Sequence, residues 1–182
     1  MSRDVPTPSQ TVGPFFRLGM DRPEWSDLTR DGARGEKIAI EGRVFDGDGA
    51  PVDDALLEIW QADAAGRYDD PAFLGFGRSI TDEAGRFRFV TVRPGRVPGR
   101  GGALQAPHVN VTIFARGLLK HLVTRIYFAD EPANESDPLL ASIADVAARR
   151  TLLAVRQEGT GVRVYRFDVV LQGKGETAFF DL

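Results

Sequence analysis

The fold class is decided by one stretch of the chain, Thr81-Asp82-Glu83-Ala84-Gly85-Arg86-Phe87-Arg88-Phe89-Val90-Thr91-Val92. Its first five residues have the composition of a turn, because aspartate bonds nearby backbone amides and glycine accepts a positive φ. Charged and aromatic side chains then alternate, which is the period of a half-buried β-strand. A turn that leads directly into an alternating strand is typical of a β protein.

The same two-residue period recurs on both sides of this stretch. Turn signals separate the apolar runs, and further strands are predicted at 38–44, 55–60, 108–116, 122–128 and 165–171. Only the segment 137–155 has helical composition, with Ser136 or Asp137 as a cap and Pro138 in the first turn. Many strands and little helix predict an all-β fold, an antiparallel β-sandwich with one short helical segment.

The N-terminal region differs from the rest of the chain. Residues 1–35 are rich in Pro, Gly, Ser, Asp and Arg and show no sustained period. We therefore predict two parts, an N-terminal arm over 1–35 and a single β-sandwich domain over 36–182.

The composition argues against several classes of function. The 182 residues carry a net charge of −3, and the basic residues are dispersed. Because binding to a nucleic acid or an anionic membrane needs a basic face, neither kind of partner is expected. The lack of cysteine removes disulfides, thiolate nucleophiles and cysteine-bound metals. There is no apolar run of about 18 residues to span a membrane, and the first residues lack the apolar core of a signal peptide. We expect a soluble, cytoplasmic protein.

The strand predicted from His108 carries the outline of a metal site. His108 and Asn110 are two residues apart, so their side chains share one face of the strand at roughly 6–7 Å. Two histidines at that spacing could bind one metal ion, but an asparagine amide is a poor ligand for a hard, highly charged cation. The only other histidine, His121, is expected at the surface.

Several blocks of sequence resemble the intradiol ring-cleavage dioxygenases. The most specific is Glu58-Ile59-Trp60-Gln61-Ala62 followed by Gly66-Arg67-Tyr68. Further similarity covers most of the chain and includes the blocks 7–16, 77–87, 107–111 and 173–182. The resemblance implies the β-sandwich of that family and an O₂-dependent cleavage of an aromatic ring.

The resemblance also implies a site that has lost its metal. In this family two tyrosines and two histidines hold ferric iron, and Tyr68 and His108 match one of each. Val97 and Asn110 stand where the second tyrosine and the second histidine are expected, and Gln105 stands where the family has an active-site arginine. We therefore expect no catalytic residue and no bound metal here, and we regard Tyr68, Val97, His108 and Asn110 as vestigial metal-site positions.

This pattern resembles the iron-free member of a two-chain enzyme. The implied partner is a homologous β chain that binds Fe(III), and the implied reaction is intradiol cleavage of 3,4-dihydroxybenzoate by O₂ to 3-carboxy-cis,cis-muconate. The two chains would form a higher-order assembly, with the arm packed on the partner. Phe15 and Phe16 would anchor the arm by burial.

Three residues are implied as substrate-binding in the partner's pocket, namely Gly13, Pro14 and Arg116. A guanidinium offers a planar pair of donors to a carboxylate, which suits Arg116 for a benzoate. Arg116 lies eight residues beyond His108, about 26 Å along an extended strand, so it cannot serve a site centred on His108. The alternative for Arg116 is a surface ion pair.

Two other functions stay open. The chain could be a self-sufficient intradiol dioxygenase of another catechol, with an unusual site around Tyr68 and His108. It could also be a non-catalytic β-sandwich binding module, although such a module has no use for the arm or for the block 58–62.

Overall fold

A mixed β-sheet of nine strands forms the body of the chain, and a separate ribbon of two strands lies beside it. The computed structural model describes residues 6–13 and 15–181. The strands are β1 (Lys37–Phe45), β2 (Leu56–Gln61), β3 (Phe76–Ile80), β4 (Arg86–Val92), β5 (Val97–Pro98), β6 (Leu104–Gln105), β7 (His108–Phe114), β8 (Leu122–Phe128), β9 (Leu153–Arg156), β10 (Arg163–Arg166) and β11 (Val169–Val170). The α-helices are α1 (Phe15–Met20), α2 (Pro138–Ser142) and α3 (Val146–Arg150), and 3₁₀ turns cover Pro23–Ser26, Arg100–Gly102 and Pro132–Ser136.

The large sheet runs β11-β1-β10-β9-β8-β7-β2-β3, and β4 pairs with β1. The pairs β1–β4, β2–β3, β2–β7, β7–β8 and β9–β10 are antiparallel. The pairs β1–β10, β1–β11 and β8–β9 are parallel, so the sheet is mixed rather than purely antiparallel as predicted. Strands from both halves of this sheet contribute to one apolar core, and the predicted all-β sandwich is confirmed.

Side-chain alternation explains why these strands pack as they do. In β4 the phenylalanines Phe87 and Phe89 are buried while Arg86 and Arg88 are exposed, as the two-residue period predicts. Phe89 is fully buried in the core together with side chains of β1, β2, β7 and β8. The apolar face of each strand thus determines its side of the sandwich.

The helical segment is shorter than predicted. Instead of one helix over 137–155, two single-turn helices form, because Asp137 caps α2 and Asp145 caps α3 separately. Ile143, at the end of α2, already has an extended backbone (φ −85°, ψ 105°). From Leu153 onward the chain is strand β9.

Much of the N-terminal region packs on its own domain. Leu28 belongs to the core, and its backbone N–H donates to the Val90 carbonyl at 2.8 Å. Phe16 lies against Phe114, with ring centroids 6.0 Å apart. Phe15 remains 80% exposed, so its predicted burial is not achieved within this chain. The boundary at residue 35 and the contact of the arm with a partner stay predictions.

Asp137 is a buried carboxylate that joins three elements. Its two oxygens accept from Leu139 N–H and Leu140 N–H in α2, from Ala106 N–H at 2.8 Å and from the Tyr127 hydroxyl at 3.2 Å. Ala106 lies just before β7 and Tyr127 lies in β8. The carboxylate therefore fixes α2 against the beginning of β7, where the site residues lie.

Asp137→Ala is expected to lower the free energy of unfolding by about 3 kcal/mol, because several buried donors lose their acceptor. Asp145→Ala is the matched control, since it removes an exposed cap and should cost only about 1 kcal/mol. Equilibrium unfolding in urea measures both losses. Equal losses for the two variants would contradict the role given to Asp137.

Candidate functional site

The predicted site residues form two groups near opposite ends of β7. The positions matched to iron ligands gather around its first residues: Tyr68, Val97, His108 and Asn110. Of the positions matched to substrate binding, Gly13 and Arg116 lie beyond its last residue, Phe114, and Pro14 lies outside the described residues. Arg116 sits in a turn and not in the strand as predicted. The structure thus separates a vestigial group from a second, exposed group.

The loop that carries Tyr68 is shaped by its Gly-Arg-Tyr motif. Gly66 has a φ of +80°, and a Cβ there would lie 2.0 Å from the Arg96 carbonyl oxygen, so only glycine fits. Arg67 donates two hydrogen bonds, at 2.9 and 2.7 Å, to the buried carboxylate of Asp63. Burial acts to raise the pKa of Asp63, but hydrogen bonds from Arg67 and Ala65 outweigh it and lower that pKa.

Tyr68 lies against Trp60, the aromatic residue of the block 58–62. Its ring stacks on Trp60 at 5.7 Å with an interplanar angle of 20°. Burial raises the pKa of the Tyr68 phenol, while the charge of Arg125 and a hydrogen bond with Asn110 oppose this shift. The phenol is therefore a neutral group near physiological pH, and it faces Asn110 and Arg125.

His108 is a buried, neutral imidazole. Its Nδ1 lies 2.8 Å from the carbonyl oxygen of Ala106, which can only accept, so the ring proton is on Nδ1. Burial, and then the positive charge of Arg125, lower the pKa of His108 from 6.5 to about 4. Its ring packs against Tyr127 with centroids 5.7 Å apart.

Arg125 lies at the centre of the vestigial group. It stands opposite Asn110 in the β7–β8 pairing, and its Nε donates to Asn110 Oδ1 at 2.9 Å. Its Nη1 donates to Gln105 Oε1 at 2.7 Å and to the Tyr127 hydroxyl at 3.4 Å. Gln105 in turn lies opposite Val97 in the β5–β6 ribbon. One guanidinium thus connects the strand of His108 with the ribbon of Val97.

These residues do not fit ferric iron. Val97 offers no donor atom, and the amide of Asn110 is already bonded to Arg125 and to the Trp60 carbonyl, the latter at 3.2 Å. Of the four matched positions, only Tyr68 and His108 could act as metal ligands. The guanidinium of Arg125 would repel a cation placed between them. Over residues 6–13 and 15–181, three or more His, Cys, Asp or Glu side chains nowhere cluster closely enough to hold a metal ion.

The second group forms a small cavity of about 190 Å³ where the arm meets the turn after β7. Gly13 and Arg116 line it together with Asp53 and Asp54. Arg116 pairs with Asp54 through Nε and with Asp53 through Nη2, the latter at 3.3 Å. These carboxylates raise the pKa of Arg116 further, so it is permanently cationic. Thr11 accepts from the Gly117 N–H at 2.8 Å and so holds the arm beside Arg116.

Arg125 is the residue of the vestigial group that sequence reasoning missed. The signal in the sequence is a single charged side chain in the otherwise uncharged run 122–128. A hairpin turning near Gly117 pairs residues whose numbers sum to 235, which includes Asn110 with Arg125. This register, set by the connection that contains Gly117, is the signal in the sequence that brings the two residues together.

Comparison with known proteins assigns the family. A family model described as Dioxygenase matches residues 13–173. A solved dioxygenase domain from Streptomyces sp. SirexAA-E, part of a fusion with a carbohydrate-binding protein, is similar with a TM-score of 0.66 and 31% identity, over 96% of this chain and all of that one. The chain therefore belongs to the intradiol ring-cleaving dioxygenase family, as the resemblance implied.

Within this family the similarity is to one kind of chain. The protocatechuate 3,4-dioxygenase alpha chain of Pseudomonas putida is 45% identical, over 96% of this chain and 96% of its own length. The beta chain of protocatechuate 3,4-dioxygenase from Burkholderia cepacia is 37% identical, over 83% of this chain and 73% of its own. In the described part of this chain, the helices are all too short or too polar to cross a membrane.

The neutral state of His108 predicts how stability depends on pH. Because the folded pKa of about 4 is below the unfolded value of 6.5, the unfolded state binds more protons between these values. The contribution of His108 is complete above pH 6.5 and falls by about 3 kcal/mol as the pH drops towards 4.

Urea unfolding from pH 7 to pH 4 measures this slope. His108→Gln, which cannot take up the proton, is expected to flatten it, and His121→Gln, which leaves His108 in place, is expected to keep it. A slope that is the same in the wild type and in His108→Gln would refute this assignment.

Proposed function

We propose that this chain is the α subunit of a protocatechuate 3,4-dioxygenase and that a homologous β chain carries the ferric iron. The observation that supports this most strongly is the loss of the metal site in a chain that otherwise keeps the family fold. Two ligand positions are Val97 and Asn110, and Arg125 lies among the remaining donors. The near full-length similarity to an alpha chain agrees with this.

The proposed reaction is intradiol cleavage of 3,4-dihydroxybenzoate by O₂ to 3-carboxy-cis,cis-muconate in a pocket of the partner. Ferric iron, when bound by the β chain, supplies a Lewis acid for the two ring hydroxyls. This chain contributes binding groups alone. Its own residues, Gly13 and Pro14 in the arm and Arg116 after β7, would line the part of the pocket that faces the substrate carboxylate.

The geometry of Arg116 suits this role. Its Nε and Nη2 are held by Asp54 and Asp53, which orient the guanidinium, and among the described residues Nη1 has no hydrogen-bond acceptor. The side chain is 63% exposed, so a carboxylate from a neighbouring chain's pocket can reach it. A guanidinium fixed in advance loses little further freedom when it binds.

The same end of the molecule offers an apolar surface to a partner. Phe15 and Leu18 in α1 are 80% and 74% exposed, and Leu119, three residues after Arg116, is 62% exposed. Large apolar side chains that stay exposed in one chain are typical of an interface. Related chains that pair about a pseudo-two-fold axis commonly form large, obligate interfaces, and αβ units would then assemble further.

Co-expression with a homologous chain that has Tyr, Tyr and His-x-His at the ligand positions tests the proposal. We expect a stable complex, one iron for each pair of chains, and ring cleavage of protocatechuate only by the complex. A tyrosinate-to-iron band in the visible spectrum of this chain alone would instead support a self-sufficient dioxygenase of another catechol. Failure to bind any such partner would support a non-catalytic β-sandwich binding module.

Arg116→Ala in the complex is expected to raise KM for protocatechuate about tenfold or more, because a charge-assisted hydrogen bond to the carboxylate is lost. The KM of Arg116→Lys should lie between those of the wild type and Arg116→Ala, since lysine keeps the charge and loses the planar pair of donors. Steady-state kinetics with iron quantified in each preparation measures this. Arg156→Ala, at an exposed position in β9 of the domain, is the matched control, and an unchanged KM in Arg116→Ala would exclude the proposed contact.

Gly13→Ala tests whether Gly13 contacts the substrate in the assembled complex. A Cβ at Gly13 has no neighbour within 4 Å in this chain, so its unfolding free energy should change by less than about 1 kcal/mol. In the complex, however, the added methyl group should raise KM if the backbone of Gly13 touches the substrate. Unchanged kinetics in a fully assembled complex would remove Gly13 from the pocket.

A further inference from the structure

The vestigial group contains a charge that the missing ligands do not explain. The guanidinium of Arg125 is half-buried, and its hydrogen-bond partners are the neutral side chains of Asn110, Gln105 and Tyr127. A half-buried cation normally has a carboxylate beside it. Here the nearest connected carboxylate is Asp137, which accepts from the Tyr127 hydroxyl at 3.2 Å.

The position of Arg125 relates it to both lost ligand positions. Arg125 is the cross-strand neighbour of Asn110, one of the two lost ligand positions. It also bonds Gln105, which is the cross-strand neighbour of Val97, the other lost position. Its electrostatic effect reaches both retained donors, because it opposes protonation of His108 and favours ionisation of Tyr68. The guanidinium thus bonds Asn110 directly, influences Tyr68 and His108 by its charge, and is linked to Val97 only through Gln105.

We propose that Arg125 acts as a built-in cation in place of the metal and that it, in addition to the lost ligands, keeps this site free of metal. Its donors bond the side chains of Asn110, Gln105 and Tyr127, and its positive charge repels an incoming metal cation. The arginine that the resemblance implies at position 105 is replaced by Gln105, and the charge is instead supplied from β8, in the middle of the group. The proposal rests on the vestigial metal-site positions assumed in the proposed function.

Restoring the ligands with and without Arg125 tests the proposal on this chain alone. The key pair is Val97→Tyr/Asn110→His and the same double variant with Arg125→Gln added. Each purified variant is mixed with ferric nitrilotriacetate, and iron per chain and the tyrosinate-to-iron band in the visible spectrum are measured. We expect the triple variant to bind close to one iron with that band, and the double variant to bind at least tenfold more weakly without it.

Lysine at position 125 distinguishes charge from shape. Val97→Tyr/Asn110→His with Arg125→Lys keeps a cation of similar reach and should stay free of iron. Equal iron binding by the double variant and the Arg125→Gln triple variant would overturn the proposal, as would full binding by the lysine variant. Absence of iron from the correctly folded glutamine variant would also overturn it.

A single substitution gives a readout that needs no rebuilt site. In Arg125→Gln the repulsion on His108 is removed, so an NMR titration of its imidazole should show a pKa above the wild-type value of about 4. An unchanged His108 titration in the folded variant would count against Arg125 as the resident charge. Both experiments use this chain without a partner, so failure of the two-chain function would not affect their outcome.

Discussion

The antiparallel pairing of β7 with β8 is the constraint on which both sites depend. Its register places Arg125 opposite Asn110 and Tyr127 opposite His108, so the side chains of one strand complete the group begun by the other. The same pairing ends in the turn that carries Arg116. A shift of one residue would exchange the faces of the strand and would remove Arg125 from the group altogether.

Asp137 stabilises this arrangement from the side. It bonds the backbone of Ala106 just before β7 and the hydroxyl of Tyr127 in β8, and Tyr127 in turn contacts Arg125. The cation and the anion are thus connected through a neutral phenol, and burial raises the pKa of that phenol so that it stays protonated. The polar groups around Arg125 are joined by hydrogen bonds within the chain, as groups withdrawn from water require.

The residues near the two ends of β7 differ in exposure and in the contacts that they make. At one end, the positions matched to iron ligands include Val97 and Asn110, which do not suit ferric iron, and Arg125 bonds Asn110 and the neighbouring Gln105. At the other end, an arginine is exposed and oriented by two aspartates, beside an arm and large apolar side chains that this chain leaves uncovered. This division agrees with the proposed role of an α subunit, which would supply binding surface while the partner chain carries the iron.

The class of fold could be predicted from the sequence alone, and the assignment of Val97 and Asn110 to former ligand positions stays a prediction. Turn chemistry and two-residue alternation are local, so the strands at 86–92 and 122–128 were predicted with the bounds that they have. The extent of helix after Asp137 was not, because a second cap at Asp145 and the burial of Ala154 in a strand compete with helical propensity. Arg125 beside Asn110 was decided only by tertiary structure, since a contact between strands depends on register and not on the composition of either strand.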